Sequence, residues 1–539
     1  MTRVIRMSDF DTIVIGSGAG GLTAALALSR IGQRVLVLEQ HYLPGGWCHS
    51  FALDGFQFSP GVHYIGQLHD RGRLRRIYEG LGVANDLCFL ELNEDGFDHV
   101  IVGDQRFDIP KGRDQFVRRL QAEFPAEAQK IEPLFRMIDS LANVKGTKRG
   151  IANKWRLLTV GLRSMDHCLD RFAIQDKRLR AILTMQAGDH GMGPSEAPAA
   201  LHAAVMAHYF DGAYYPKGGA RMIPRAFIRA LRRNGGEIRV RTPVNKILIE
   251  GTGRRRRAVG VQLADGTEIS AANVLSNADP ETTFKRLVGE KHLSRKLQKR
   301  LSRTEYSLSA LSLFCATDLD LESMGFDSGN YWYSTGPRVE ELYDLAKHEN
   351  PLESGELPGI FLTVTTLKDR AKRTDGLHTV ECFSFISYDV FKKWQDSQFD
   401  DRPADYESLK AKLTEMIYRR MDEVVPGISE HLVFSSLGTP LSNSHYLRAT
   451  RGNLYGTAKR WNQIGPWSYP VETEITGLFM CGASTVAHGV SGATESGLSA
   501  AKKIANCSKR HFLGEKGQEL TILPCDTATP CEATEAKAV

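Results

Sequence analysis

Residues 11–66 read DTIVIGSGAGGLTAALALSRIGQRVLVLEQHYLPGGWCHSFALDGFQFSPGVHYIG, and this stretch decides the fold. Asp11–Ile15 is a short β-branched run of the kind that forms a fully buried parallel strand. Gly16, Gly18 and Gly21 follow at G-x-G-x-x-G spacing, Leu22–Arg30 is an Ala/Leu-rich helix, and the apolar strand Arg34–Leu38 ends on Glu39. A dinucleotide needs this order of strand, glycine turn, helix, strand and acid. Gly16 permits the tight turn, Gly18 lets backbone approach a pyrophosphate, and Gly21 allows close helix–strand packing. The helix N-terminus faces the phosphates, and Glu39 accepts hydrogen bonds from a ribose diol. The motif alone leaves NAD and FAD open. Glu39 argues against a 2′-phosphate, since two negative groups would meet there without an arginine between them.

Pro44-Gly45-Gly46 follows the second strand, where a second bare-backbone approach to a diphosphate would lie. An FAD bound in extended form passes that loop; an ordinary NAD dehydrogenase has no use for it. Glu39-Gln40-His41, Gly45-Gly46, Cys48-His49, Phe51, Gly55, Phe58 and Gly61-x-His63-Tyr64-Ile65-Gly66 resemble the flavin-dependent family of carotenoid desaturases, carotenoid isomerases and retinol saturase. They look most like its retinol saturase and carotenoid isomerase branch. The resemblance runs from about Asp11 to Ile504 and is dense at the two ends.

The resemblance implies an α/β protein with an α+β second domain. A discontinuous Rossmann-type FAD-binding domain is assigned to residues 8–90, 217–290 and 470–506. A mixed-sheet plus helical substrate domain, facing a membrane, takes 91–216 and 291–469, and 507–539 is assigned to a flexible C-terminal tail. Near the C-terminus, Thr476–Ser484 is again a strand running into a glycine turn, followed by Gly489–Gly497 and an Ala-rich helix to Ile504. In the resembled family this is the second flavin contact. Gly482 approaches the ribityl phosphate arm, and a helix beginning near Gly492 aims free N–H groups at the flavin C2 carbonyl. A helix N-terminus there stabilises the charge of the reduced ring by about 0.3–1 kcal/mol, more if buried. The segment around Val244 contacts the adenine through backbone in that family. The expected FAD-binding set is Gly16, Gly18, Ala19, Gly20, Gly21, Glu39, Gln40, Gly45, Gly46, Trp47, Val244, Gly482, Ala483, Ser484, Gly492 and Ala493. There is one departure: many wider relatives place an arginine after the Gly-Gly pair, and here Trp47-Cys48-His49 stands instead. The charge contact must come from elsewhere or from backbone, and amine oxidation is the weaker enzymatic reading.

Between these ends, Gly72–Gly82 reads as a basic helix and Cys88–Leu92, His99–Val102 and Gln105–Ile109 as strands. Pro110 to about Arg171 reads as a long helical region broken near Pro125 and Gly146. Ser195–Phe210 and Met222–Asn234 are helices, and 237–279 is β-structure with an Asp265-Gly266 hairpin. Strands Ser309–Cys315, Ile360–Thr366 and His378–Ser387 punctuate the middle. Gly251-Thr252-Gly253 before Arg254–Arg257 opens no helix and reads as a hairpin tip, so no second nucleotide fold is expected. Residues 520–539 are Thr/Ala/Pro/Glu-rich and read as a mobile tail.

The chain has 539 residues, 42% of them hydrophobic, which fits a large enzyme of two or more domains. No apolar run reaches the ~18–20 residues that span a bilayer. Asp9 and Asp11 close behind Arg3 and Arg6 argue against a secretory signal, and nine scattered cysteines fit a reducing, cytoplasmic setting. Net charge +6 comes without the aromatic-plus-basic layout of a nucleic-acid reader, so an anionic membrane surface is the better partner. Residues 144–171, with Trp155, Leu157, Leu158, Val160 and Leu162 among basic residues, fit peripheral docking through Lys154, Arg156 and Arg163; a helix packed on the protein is the ordinary alternative.

No metal cluster, CxxC pair, G-x-S-x-G elbow or H-E-x-x-H motif is present, which leaves flavin hydride chemistry on carbon. The resemblance implies a C=C bond of a long apolar isoprenoid, carotenoid or retinoid, that is desaturated, saturated or isomerised in a dry slot with at most one proton donor or acceptor. His63, Tyr64 and His488 are the candidates for that role; the alternative makes them structural lining. A fatty acyl substrate, or a flavin-binding lipid scaffold without turnover, are the competing functions. Oligomeric state is not legible.

Overall fold

The computed structural model describes residues 8–143 and 155–525, except 349, 354, 374, 515 and 516. Its first sheet assembles from three distant stretches of chain. Strands Leu478–Met480, Glu268–Ser276, Phe10–Ile15, Val35–Leu38 and Glu237–Arg239 lie side by side in parallel, in that order. The long strand Glu268–Ser276 continues at its outer end into an antiparallel meander with Arg257–Leu263 and Val244–Glu250. Alternation explains why both faces are covered. Ile13, Ile15, Leu36 and Leu38 face a core under the meander, whereas Val14, Val35 and Val37 face the helices. The helix Ala19–Ser29, almost wholly buried, lies between the sheet and the helices Met222–Arg233 and Gly489–Ala505. Its Gly, Ala and Leu side chains are small enough to permit that sandwich.

The second sheet has seven strands in the order 432–438, 309–317, 378–386, 359–364, 330–334, 98–102 and 105–109. All its joins are antiparallel except that between Asn330–Ser334 and Asp98–Val102. One face packs on the helix Ala404–Val424. The other meets helices Arg113–Glu123, Ala128–Ala142 and Ala199–Tyr209, and there Trp332, Phe361 and Phe385 join the helical core. This is the α/β arrangement with a mixed-sheet and helical second part.

Several details differ from the sequence reading. The C-terminal helix begins at Gly489, three residues before Gly492. The long helical region after Pro110 is several pieces, with a π-helical turn at Leu157–Gly161 and a helix at Met165–Arg171. Residues 510–514 and 517–525 fold rather than trailing as part of a flexible tail at 507–539. Arg510–Leu513 is helical, Phe512 is buried, and Thr521–Pro524 pairs in parallel with Cys88–Glu91. The last strand docks because Leu520 and Cys525 flank it with buried side chains that polar composition concealed. Tyr214–Pro216 completes this three-stranded sheet, which therefore joins segments assigned to three different units. Lys154 and the rest of 144–154 lie outside the described residues.

Candidate active site

The two glycine turns, 460 residues apart in sequence, meet in space. A Cβ built on Gly20 would lie 3.0 Å from the Ala493 carbonyl oxygen and 3.2 Å from the Gly482 nitrogen. A Cβ on Gly46 would lie 3.1 Å from the Gly18 Cα. Any larger side chain at either place pushes backbone apart, so these positions hold three turns in one cradle. Asn277, at the end of the strand Glu268–Ser276, stands at its centre: its Oδ1 accepts the Cys481 thiol hydrogen at 3.2 Å, and its side chain abuts Gly16, Gly18 and Gly482.

Glu39 is buried at the tip of its strand. Its Oε2 accepts from the Ser17 N–H at 2.9 Å and the Ser17 hydroxyl at 2.6 Å, and its Oε1 accepts from the His41 N–H at 2.9 Å. Two carboxylate oxygens offer about four acceptor positions, so capacity remains for a ribose hydroxyl. Ser17 Oγ also accepts from the Gly45 N–H at 2.9 Å, which ties the Pro-Gly-Gly loop to the first turn.

All of these open on one cavity of about 1850 Å³. Pockets for single small ligands are ~300–1,000 Å³, so this one has room for a dinucleotide and a second long molecule. Gly16, Gly18, Ala19, Gly20, Glu39, Gln40, Gly45, Gly46, Trp47, Val244, Gly482, Ala483, Ser484, Gly492 and Ala493 are on its wall, as are His63, Tyr64 and His488. Gly21 is the exception. It stands off the wall, and a Cβ there would lie 2.2 Å from the Gly16 carbonyl oxygen, so its part is helix–strand packing and not cofactor contact. Gly492 lies a turn inside its helix, where a Cβ would lie 2.6 Å from the Ala487 carbonyl carbon. The free N–H groups of that helix instead belong to Gly489, Val490 and Ser491, all on the cavity wall.

The proton candidates differ in chemistry. His488 caps the C-terminal helix, and its Nε2 donates to the Asp189 carbonyl oxygen at 3.0 Å. Burial pushes its pKa down to about 3, so the ring is neutral and its buried, unpartnered Nδ1 is an acceptor. His63 has its Nδ1 3.1 Å from Glu381 Oε2, its ring beside Phe361 and Phe383, and its carbonyl oxygen accepting from the Lys368 ammonium at 2.7 Å. Tyr64 stacks on Tyr209 at 4.3 Å and reaches Asp189. Burial raises its phenol well above the usual range.

Sequence reasoning missed Asn277, Asp189, and the cations Arg286 and Arg448, which line the same cavity. Arg448 Nε donates to Gln40 Oε1 at 2.8 Å. With Arg71, Arg73, Arg76 and Arg113, also on the cavity wall, Arg286 and Arg448 supply positive charge where Trp47-Cys48-His49 supplies none. Asn277-Ala278-Asp279, polar residues directly after an apolar strand, was a visible signal; Arg448 and Asp189 stand in no motif.

The bare cradle, the acid at Glu39 and the orphaned His488 Nδ1 fit a bound FAD. A family model described as flavin containing amine oxidoreductase matches residues 19–408. The chain is 32% identical over 530 residues to the all-trans-retinol 13,14-reductase of Danio rerio, covering 92% of this chain and 86% of that one. It is 26% identical over 536 residues to the chloroplastic prolycopene isomerase of Daucus carota, covering 93% of this chain and 80% of that one. Among solved structures, an oxidoreductase from Methanosarcina mazei superposes with a TM-score of 0.64 at 19% identity, over 91% of this chain and 99% of that one. The sheet built around two converging glycine turns is thus a shared fold, and the chain belongs to the flavin containing amine oxidoreductase family, as an FAD-dependent oxidoreductase.

Proposed function

We propose that this chain uses FAD to act on a carbon–carbon double bond of a long apolar isoprenoid, a retinoid or carotenoid. The carrying observation is the continuity of one cavity. Its wall holds the glycine cradle together with Phe361, Phe383, Tyr209, Leu454, Leu141, Leu157 and Leu201. A flat polyene fits a slot walled by aromatic rings and aliphatic side chains, which also excludes water. The names of the relatives, a retinol reductase and a prolycopene isomerase, support this class over a fatty acyl chain. FAD, when bound, exchanges an electron pair and a hydrogen with a substrate carbon.

The chain's own groups do the rest. The N-terminus of the helix Gly489–Ala505 faces the cavity and favours negative charge there. His488 presents an acceptor. Phe361 and Phe383, stacked at 4.5 Å, hold a planar substrate beside His63. Purified protein should be yellow, and host apolar lipids extracted with and without it should differ. A product of changed mass means saturation or desaturation; changed retention at equal mass means isomerisation. A colourless protein that refuses FAD ends the proposal.

On this reading the substrate enters from a membrane surface. Leu157 lines the cavity, and its neighbours Trp155 and Leu158 are 65% and 58% exposed, beside the exposed Arg163. A further exposed tryptophan, Trp461, borders the same surface as Leu162 and Arg163. Apolar rings among cations match the interface of an anionic bilayer. No described helix is long and apolar enough to cross a membrane.

A further inference from the structure

Tyr64 meets two carboxyl groups. Its phenolic oxygen lies 2.8 Å from Asp189 Oδ2 and 3.2 Å from Asp98 Oδ2. A phenol has one proton to donate, so Tyr64 cannot serve both oxygens. If both carboxyls were ionised, one carboxylate oxygen would face a phenol lone pair in a site covered by the stacked Tyr209 ring. The arrangement closes only when one carboxyl carries a proton and donates it to the phenolic oxygen.

The surroundings say which. Asp98 is fully buried, and its Oδ1 accepts from Asn330 Nδ2 at 2.9 Å and Trp332 Nε1 at 3.3 Å, while Oδ2 accepts from Gln186 Nε2 at 2.8 Å. Three N–H donors are the solvation of an anion. The Lys368 ammonium, bonded to Asn330 Oδ1 and the His63 carbonyl, adds a positive neighbour. Asp189 has no such shell: among the described residues Tyr64 is the one hydrogen-bond partner of its carboxyl group. It lies on the cavity wall, with Tyr209, Tyr455 and His488 around it.

We propose that Asp189 stores a proton at the cavity wall and delivers it from its carboxyl group to a substrate carbon, with Tyr64 and Asp98 as positioning residues. The proposal rests on the double-bond reading above and deepens it by naming the proton source. In saturation, the π bond breaks and two C–H bonds form. One carbon takes a hydrogen with its electron pair from reduced FAD, which ends two electrons poorer; its neighbour takes the Asp189 proton. The Tyr64 O–H then turns from Asp98 to the new Asp189 carboxylate, and water restores the acid when product leaves. A reduced nicotinamide, or dithionite in the test tube, reloads the FAD. In desaturation the carboxylate takes the proton instead.

Electrostatics agree with the assignment. Burial, reinforced by the Asp98 charge, pushes the Asp189 carboxyl up to about 8. Burial raises Asp98 only to about 6, because Asn330, Gln186, Tyr64 and Lys368 oppose it. Two acids in contact with one phenol are thereby held on opposite sides of neutrality.

Infrared spectroscopy of the holoenzyme at pH 7 tests the proton directly. The expected result is a protonated-carboxyl stretch that shifts in heavy water, disappears in Asp189→Asn, and moves in Tyr64→Phe as its hydrogen-bond partner is lost. The partner readout is reoxidation of dithionite-reduced enzyme by all-trans-retinol or a carotenoid. Asp189→Asn should slow it about 100-fold with the flavin spectrum unchanged, since positioned general acids contribute about 10²–10⁴-fold, and Asp189→Glu should recover part of the loss. An acid band that survives in Asp189→Asn, or full reoxidation by that variant carrying its flavin, overturns the proposal. If no isoprenoid reoxidises even the wild-type enzyme, the double-bond reading fails, while the infrared band still decides where the proton sits.

Discussion

The two halves of the cavity are built by opposite means. On the nucleotide side the wall is mostly backbone: glycine turns at 16–21, 45–46 and 482 crowd together around the single side chain of Asn277. On the substrate side the wall is side chain: Tyr64 from the N-terminal stretch, Asp189 and Tyr209 from the helical layer, Phe361 and Phe383 from the second sheet. A backbone wall tolerates no added atom, whereas a side-chain wall can be reshaped at the cost of packing. The halves should therefore fail differently when altered.

The largest effect is expected from Gly20→Val. Its added carbons would press on the Ala493 carbonyl and the Gly482 nitrogen, so the purified variant should lack flavin absorbance and all turnover. A yellow, active Gly20→Val would show that the turns do not hold the cofactor. Phe361→Ala probes the other half. It should keep its flavin while losing about 3–5 kcal/mol of stability, read by denaturant unfolding, and its relative rates with retinoid and carotenoid should change. Loss of flavin along with the ring would mean the halves are not separable.

The third prediction concerns pH. Asp189 is protonated below about 8, so the rate of substrate-driven reoxidation should be level below that value and fall tenfold per unit above it. The groups facing it are Asp98, Tyr64, Tyr209, Tyr343, Tyr455 and His488, with Lys368 reaching it only through Asp98. Tyr64, Tyr209 and Tyr455 are raised and stay neutral, and His488 is neutral above about 3. Asp98, raised to about 6, and Lys368, held down to about 7 by burial, are the neighbours that titrate nearby, so Asp98→Asn and Lys368→Met should be compared. The sign for stability follows from the same shift. A carboxyl raised from 3.8 contributes stability that is complete below 3.8 and is lost as pH rises through about 8. The smallest effect is expected at the surface. Arg156→Glu with Arg163→Glu should weaken binding to anionic vesicles roughly tenfold or more, at about 1 kcal/mol per lost charge. Unchanged vesicle binding would discard the membrane face.

The nucleotide half was nearly all legible. A glycine is chosen where a Cβ cannot exist, so its role is written locally at Gly16, Gly18, Gly20 and Gly46, and the strand–turn–helix order around them is periodic. The differences there are small: Gly21 packs helix against strand, as its spacing indicated, but does not line the cavity with the rest of the expected set, and the helix starts at Gly489 instead of near Gly492. The substrate half was hardly legible. Tyr64 was visible as a candidate for the proton role, but nothing in Gln186-Ala187-Gly188-Asp189 announces an acid poised beside it. The 510–524 segment was obscured for a related reason: a strand that docks through Leu520 and Cys525 shows no alternation of its own.

The sequence by itself determined the dinucleotide fold and the flavin, because those depend on backbone geometry that short motifs encode, and the class of chemistry followed from its family resemblance. Only the tertiary structure decided that the cradle and the aromatic and aliphatic side chains near Phe361 line one cavity, and that two carboxyl groups 91 residues apart share one phenol. Proton placement depends on what surrounds a group once water is excluded, and no local spacing records that environment.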